Sequence, residues 1–146
     1  TCRQLPPEEA LARIQAGQPH AWRLDSRKAA QTCGPLTFTD LRHGTINVNP
    51  DLLGDVVLAR KDIGCAYHFA VVVDDAFQQI THVTRGEDLL PSTHVHRLLQ
   101  VLLGFPEPLY LHHHLILDAE GKRLAKRCET LRESGLGPDE VLPRIQ

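Results

Sequence analysis

The sequence predicts a mixed α/β domain that contains a parallel β-sheet. The chain has 146 residues, of which 42% are hydrophobic and 23% are charged, and these values are typical of one globular domain. After a strand-like segment at residues 55–60, the pattern gives a strand at 79–86, a helix at 92–104 and a strand at 110–117. This order is typical of parallel strands that are joined by a helix.

The overall composition and charge of the chain limit the classes of protein to which it can belong. The formal net charge is −2, so nucleic acid could be bound only by local basic patches rather than by a general positive field. The longest apolar runs, such as residues 69–73, are too short to cross a bilayer, and we expect neither a membrane span nor a signal peptide. The four cysteines form no CxxC pair, which indicates reduced thiols in a cytoplasmic protein.

The first half of the chain predicts one helix and several strands. Prolines and acids at residues 6–9 precede apolar residues that lie three to four apart, which predicts a short helix that ends at Gly17. Residues 20–24 alternate in polarity, as a strand does. Residues 36–48 contain two β-rich runs around a polar turn, which predicts a hairpin. Residues 55–60 predict a buried strand.

The second half alternates between strand and helix signals. Three consecutive valines within residues 67–75 favour a strand by propensity alone. Residues 79–86 predict a strand that ends at a turn. Ser92 or Thr93 could cap a helix that ends at Gly104. A last strand is expected at 110–117, followed by a turn and two short helices near residues 129–133 and 138–145.

Two segments carry charged side chains that suit a ligand. Residues 121–127 combine a glycine with four cations, which suits a polyphosphate whose charge grows during an in-line displacement. On its own, this pattern is more typical of a solvated surface loop. Arg85 ends a predicted strand, where open α/β sheets bind ligands, and is well placed to hold a carboxylate. The alternative is a surface ion pair with an acidic neighbour in the following turn.

The segment of residues 67–75 begins with Tyr67 and ends with Asp74 and Asp75. These side chains could line a polar pocket. The alternative is a buried core segment with a solvated acidic end. The histidines raise the question of a metal site, but His94 and His96 are too close to share one helix face. Along residues 112–114, only the first and third histidines could reach a common ligand. We therefore expect no His-built metal site and assign these side chains to packing or to nucleotide contacts.

Taken together, these segments resemble the second half of the catalytic domain of class I glutamyl-tRNA synthetases. Residues 67–75, 80–88 and 121–127 occur in that family's order and spacing, and residues 38–44 match an upstream element. The resemblance implies a Rossmann-type domain that has an inserted β-rich and helical segment and lacks its N-terminal half. The resemblance assigns residues 1–50 to the remnant of a zinc-binding or connective insertion together with the β-hairpin. Residues 51–146 become the C-terminal half of the catalytic domain, and the segment that begins at Tyr67 becomes a helix.

The resemblance also implies an activity. The family uses ATP and Mg²⁺ to activate glutamate as glutamyl-adenylate, and then passes the glutamyl group to RNA. Tyr67 and Arg85 match its glutamate-contacting positions. Lys126 matches the second lysine of the KMSKS-type loop and is the implied catalytic residue. The positions that match the ATP-binding part of this loop are Arg123, Lys126 and Arg127. Arginine stands for the loop's first lysine, which keeps the charge but changes the geometry.

Within this family, residues 93–100 and 124–127 are similar to the glutamyl-Q tRNA(Asp) synthetases, a shorter branch. That similarity implies a monomer that transfers glutamate to the queuosine base of tRNA(Asp). Residues 1–3 look like the end of the branch's zinc-binding segment. Cys2 is then the single remaining candidate ligand for Zn²⁺, and one thiolate cannot hold the ion.

The resemblance leaves part of the active site unaccounted for. The family's HIGH-like motif and its first phosphate-binding strand and helix are expected upstream of Thr1. Without them, the positioning of ATP and glutamate should fail, so we expect the 146 residues alone to be inactive. Two alternatives stay open, namely a catalytic-domain fragment of an ordinary glutamyl-tRNA synthetase and a non-catalytic tRNA-binding module.

Overall fold

The computed structural model describes residues 5–60, 62 and 64–117. The helices are α1 (Pro7–Gln15), α2 (Ser26–Cys33), α3 (Tyr67–Phe77) and α4 (Leu90–Leu103). The strands are β1 (Ala21–Leu24), β2 (Thr37–Asp40), β3 (Gly44–Asn47), β4 (Val56–Arg60), β5 (Gly64–Cys65), β6 (His82–Gly86) and β7 (Leu109–His113). No helix in this part of the chain is long and apolar enough to cross a membrane.

The strands form two sheets. One is antiparallel, with the order β1-β4-β5, and the other has the order β3-β2-β7-β6. In the second sheet, β7 lies parallel to both β2 and β6, and β3 pairs antiparallel with β2. The predicted mixed α/β fold with a parallel sheet is therefore confirmed. Both sheets combine strands from either side of residue 50, and the division of the chain at that residue stays a prediction.

The segment that begins at Tyr67 is a helix of 11 residues. This confirms the helix that the resemblance implies and shows that the strand favoured by the valines is wrong. Burial explains the outcome. Val72 is 2% exposed and packs with Val56, Val95 and Leu99 in the core between α3, α4 and β4. Because the helix places one valine of the run in this core, tertiary packing outweighs the strand preference of β-branched residues.

Helix α4 starts earlier than its capping residues predict. A 3-10 turn at Glu87–Leu89 leads directly into Leu90, and Pro91 occupies the first helical turn, where its missing N–H costs nothing. The predicted cap at Ser92 or Thr93 is wrong, since both residues are buried inside the helix. The predicted end is confirmed by Gly104, which adopts a left-handed conformation with φ 69°.

Two of the remaining elements, helix α2 and the short strand β5, correspond to no predicted element. Helix α1, strand β1 and the β2–β3 hairpin lie where they are predicted. Strand β7 ends at His113, four residues before the predicted end. A second buried group lies between α4 and the parallel sheet, where Phe38 makes edge-to-face contacts with His94 and Tyr110 at centroid distances of 5.1 and 5.7 Å. The ring of Tyr110 in this group also faces the guanidinium group of Arg85.

Candidate functional site

Arg85 lies near the C-terminal end of β6, which pairs in parallel with β7. In open α/β sheets, ligands bind at this end of the strands. The side chain is half-buried between the sheet and helix α4. Its position therefore agrees with the placement that the strand pattern predicts.

The guanidinium group of Arg85 is held by neutral side chains. Its Nε donates to His112 Nε2 at 3.2 Å, and one terminal nitrogen donates to His96 Nδ1 at 3.2 Å. The other terminal nitrogen donates to the Thr93 hydroxyl. The guanidinium carbon also lies 5.5 Å from the ring centroid of Tyr110, within the range of a cation–π contact. Contacts on several sides fix the orientation of the cation.

Behind Arg85, a buried carboxylate orients His112. Asp40 Oδ2 accepts a hydrogen bond from His112 Nδ1 at 2.6 Å, and neither side chain is exposed to solvent. Burial by itself would raise the pKa of Asp40, but hydrogen bonds from His112, His43 and the backbone outweigh burial and hold that pKa well below its ordinary value. Since Asp40 is ionised, His112 Nδ1 carries a proton, and His112 Nε2 is free to accept from Arg85.

On the other side of Arg85, His96 connects the cation to helix α3. His96 is 2% exposed, and burial, reinforced by the charge of Arg85, lowers its pKa to about 3. Its Nε2 lies 3.1 Å from His68 Nδ1. The ring of Tyr67 lies 6.0 Å from that of His96 and 5.5 Å from that of His68, between centroids. Tyr67 and Arg85 therefore both lie next to His96, and their contact with glutamate stays a prediction.

Helix α3 also brings an acid towards Arg85. Burial raises the pKa of Asp75, and the opposite charge of Arg85 works against that rise. Asp74, the preceding residue, is exposed. The region therefore contains a fixed cation and a nearby half-buried carboxyl group, which are the two charges that complement an amino acid.

Several members of this cluster were missed by sequence reasoning as site residues. Thr93 was interpreted as a helix cap, whereas it lies beside Arg85. Asp40 was assigned only to an upstream element of the family, and the histidines only to packing or nucleotide contacts. The signal that could have found two of them is the family's own spacing, because Asp40 lies inside matched residues 38–44 and His96 inside matched residues 93–100. His112 lies outside the matched segments, in the strand that precedes residues 121–127.

Four predicted site residues lie outside the described residues, namely Cys2, Arg123, Lys126 and Arg127. Their placement beside Arg85 or at a metal ion stays a prediction. Within residues 5–60, 62 and 64–117, no group of three or more His, Cys, Asp or Glu side chains could hold a metal ion.

Comparisons with known proteins decide the family. The sequence model of one protein family, the catalytic domain of the class I tRNA synthetases (E and Q), matches residues 1–143 of the chain. The chain belongs to this family. The assignment confirms both the resemblance and the predicted fold class.

The relatives carry two different names. The chain is 53% identical over 94 residues to a glutamyl-Q tRNA(Asp) synthetase of Rhodobacter capsulatus, which covers 61% of this chain and 34% of that protein. It is 42% identical to a glutamyl-Q tRNA(Asp) synthetase of Nocardia farcinica, over 97% of this chain and 45% of that protein. It is 40% identical to a glutamate–tRNA ligase of Lachnoclostridium phytofermentans, over 97% of this chain and 29% of that protein.

The solved structures give the same family. A glutamate-tRNA synthetase from Elizabethkingia anophelis superposes with a TM-score of 0.68 at 36% identity, over 90% of this chain and 26% of that chain. The chain thus spans between about a quarter and a little under half of the length of these relatives. It corresponds to part of a class I synthetase catalytic domain.

Proposed function

We propose that the chain is part of a larger enzyme that activates glutamate with ATP and transfers it to the queuosine base of tRNA(Asp). The observation that carries this proposal is Arg85, a cation fixed at the ligand-binding end of a parallel sheet and close to Tyr67. The family assignment supplies the reaction class, and the geometry of Arg85 supplies a place for the amino acid.

Arg85 suits a carboxylate because its charge is not neutralised by a direct contact. Among the described residues, its hydrogen-bond partners are a hydroxyl and two imidazoles that are neutral at pH 7. A guanidinium group has five N–H donors, so donors remain for a ligand after these three bonds. A charge-assisted bond from a fixed guanidinium group to a carboxylate is among the stronger polar contacts in proteins.

The reaction that follows from the family has two steps. A carboxylate oxygen of glutamate attacks the α-phosphate of ATP, and pyrophosphate leaves. Mg²⁺, when bound, would neutralise charge on the phosphates. A hydroxyl group of the queuosine base then attacks the acyl carbon of glutamyl-adenylate, which forms an ester and releases AMP. We assign the loop residues Arg123, Lys126 and Arg127 to the phosphates, with Lys126 stabilising the charge that develops in the first step.

The choice of the glutamyl-Q branch rests on the relatives' names and on residues 93–100 and 124–127. A glutamyl-Q tRNA(Asp) synthetase is 53% identical over 94 residues, whereas a glutamate–tRNA ligase is 40% identical over 146 residues. The proposal includes a monomer in the cytoplasm, residues 1–50 as the remnant of an insertion, and residues 51–146 as the end of the catalytic domain. Zinc in the parent protein would need ligands besides Cys2.

The test uses the full-length protein that contains this chain. Radiolabelled glutamate, ATP and Mg²⁺ are incubated with tRNA(Asp) that contains queuosine, with tRNA(Asp) that lacks it, and with tRNA(Glu). We expect label only on the queuosine-containing tRNA(Asp). Label on tRNA(Asp) without queuosine would contradict the assignment.

Two other outcomes identify the alternatives. Label on tRNA(Glu) supports an ordinary glutamate–tRNA ligase, which is favoured by relatives of that name that match 97% of the chain. RNA binding without any glutamate-dependent pyrophosphate exchange supports a non-catalytic module. The 146 residues alone should show no such exchange, because the expected upstream half of the site is needed to position ATP.

A further inference from the structure

One edge of the Arg85 guanidinium group is occupied by two acceptors of the protein. Nε and Nη2 lie along this edge, and each directs one N–H group outwards from it. Nε donates to His112 Nε2 at 3.2 Å, and Nη2 donates to the Thr93 hydroxyl group. The two acceptor atoms lie 3.0 Å apart. They receive the two N–H groups of this edge much as the two oxygens of a carboxylate receive them in a bidentate ion pair.

The contacts of Thr93 fix the direction of its hydroxyl hydrogen. Arg85 only donates hydrogen bonds, so the hydroxyl oxygen must accept from it. The other contact of the hydroxyl group is His112 Nε2 at 3.0 Å. Because His112 Nδ1 gives its hydrogen to the ionised Asp40, Nε2 carries a lone pair and receives the hydroxyl hydrogen. A chain of hydrogen bonds therefore runs from Asp40 to Arg85, with each donor and acceptor assigned.

The position of Thr93 in helix α4 makes its hydroxyl group a rigid acceptor. A threonine inside a helix can bond the carbonyl group one turn earlier, but the hydroxyl group of Thr93 is bonded to Arg85 and His112 instead. The residue has no exposed surface, and its branched side chain has restricted rotation about χ1. The acceptor therefore stays where the helix backbone places it.

After these contacts, two N–H groups of Arg85 remain for a ligand. A guanidinium group has five N–H groups. Nε and Nη2 each use one at the edge described above, and Nη1 uses one on His96 Nδ1 at 3.2 Å. One N–H group is thus left on each terminal nitrogen. A carboxylate, which has two acceptor oxygens, matches this pair of donors in number and in charge.

We propose that Thr93 is a positioning residue for the amino-acid substrate, because its hydroxyl group and His112 together hold the Nε–Nη2 edge of Arg85 and keep the two remaining N–H groups in place for a carboxylate. This inference rests on the proposed binding of glutamate at Arg85. Since Thr93 is fully buried, it acts through Arg85 rather than by contact with the ligand.

Asp75 of helix α3 shows why such a hold is needed. The charge of Arg85 opposes the rise that burial causes in the pKa of Asp75, so the two groups attract each other. The hydrogen bonds of Arg85 nevertheless go to neutral side chains among the described residues. Without an acceptor at Nη2, the guanidinium group is free to turn towards Asp75, and its charge would then be neutralised before glutamate binds.

The experiment removes the Thr93 hydroxyl group in the full-length protein. Thr93→Val has nearly the same shape and no hydroxyl group, whereas Thr93→Ser keeps the hydroxyl group. Thr93→Ala, which favours the helix, takes the place of the valine variant if that variant does not fold. The matched control is Thr32→Val, because Thr32 is an exposed helical threonine whose hydroxyl group bonds the carbonyl oxygen of Lys28.

Dissociation constants for glutamate and for a non-hydrolysable ATP analogue are measured by calorimetric titration. We expect Thr93→Val to bind glutamate about tenfold more weakly, because the loss of one hydrogen bond to a charged group has this effect. Its affinity for the ATP analogue should stay within about twofold. Thr93→Ser should restore most of the glutamate affinity, and the control should change neither constant. A merely structural role would weaken both ligands together.

Nitrogen-15 spectra of the ligand-free protein report on Arg85 directly, and its signals are identified by their loss in Arg85→Lys. When the guanidinium group is held on one edge, rotation about the Nε–Cζ bond is slow, and Nη1 and Nη2 give separate signals. We expect this rotation to be about tenfold faster or more in Thr93→Val. In Thr93→Ser it should stay close to the original rate.

The two measurements separate this inference from the proposed function. Unchanged glutamate affinity or unchanged rotation of Arg85 in Thr93→Val would overturn the inference, and so would failure of Thr93→Ser to restore either value. Equal weakening of glutamate and of the ATP analogue would also overturn it. If the original protein does not bind glutamate while the Arg85 signals respond as expected, the proposed function is refuted, and the hold of Thr93 on Arg85 stands.

Discussion

Substitution of Asp40 by asparagine removes the carboxylate on which the orientation of His112 depends. Asp40 Oδ1 accepts from the backbone N–H groups of Arg42 and His43 at 3.0 and 2.9 Å and from His43 Nδ1 at 2.8 Å. Asp40 Oδ2 accepts from the backbone and side chain of His112 at 3.1 and 2.6 Å. Asparagine has only one side-chain oxygen, so it can replace only one of these two acceptors.

The magnitude follows from the number of donors that lose their acceptor. If the amide nitrogen takes the place of Oδ2, two buried donors of His112 face an N–H group. An unpaired buried donor costs about 1–3 kcal/mol. His112 can change its tautomer to recover one bond, but it then offers a hydrogen to Arg85 instead of a lone pair. We therefore expect Asp40→Asn to destabilise the folded chain by about 2–4 kcal/mol.

Thermal unfolding followed by circular dichroism measures this loss. For a chain of this size, a loss of about 3 kcal/mol lowers Tm by about 10 °C. The control is Asp51→Asn, because Asp51 pairs with Arg27 on the surface and both side chains are more than half exposed. We expect that control to change stability by less than about 0.5 kcal/mol. Equal effects of the two substitutions would refute the role assigned to Asp40.

Three further predictions concern stability. The pKa of His96 in the folded chain, about 3, lies below its ordinary value of 6.5, so stability is retained above pH 6.5 and is lost as pH falls from there towards 3. This should appear in urea titrations as up to a tenfold change per pH unit in the unfolding constant. Phe38→Ala, at a site with no exposed surface, should cost about 3–5 kcal/mol in the same assay. Gly104→Ala should cost about 1 kcal/mol by thermal unfolding, because the residue is left-handed at φ 69°.

The parts of the fold that could be predicted are largely those that depend on residues close together in the sequence. The strand that carries Arg85 was predictable because its pattern and the turn after it are local. The placement of Arg85 at a ligand-binding edge then follows from the parallel topology. The contact between Asp40 and His112 was not predictable in this way, since it joins residues 72 positions apart. It depends on the parallel pairing of β2 with β7, which no local signal specifies.

Local signals also failed where tertiary packing determines the outcome. Thr93 has the side chain of a helix cap, but its hydroxyl group is buried against Arg85 and His112. The valines after Tyr67 favour a strand, but the segment packs as a helix against α4 and β4. Only the resemblance to a family corrected the second of these predictions, because a family pattern carries information about long-range contacts that propensity lacks.

The most direct test of the central claim is the affinity of the full-length protein for glutamate after Arg85→Lys. Lysine keeps the positive charge but cannot donate to His112, His96 and Thr93 while also holding a carboxylate through a planar fork. We predict that calorimetric titration will show glutamate binding weakened about 100-fold, with ATP binding unchanged. Glutamate affinity within about threefold of the original value would contradict the assignment of Arg85 as the anchor of the substrate.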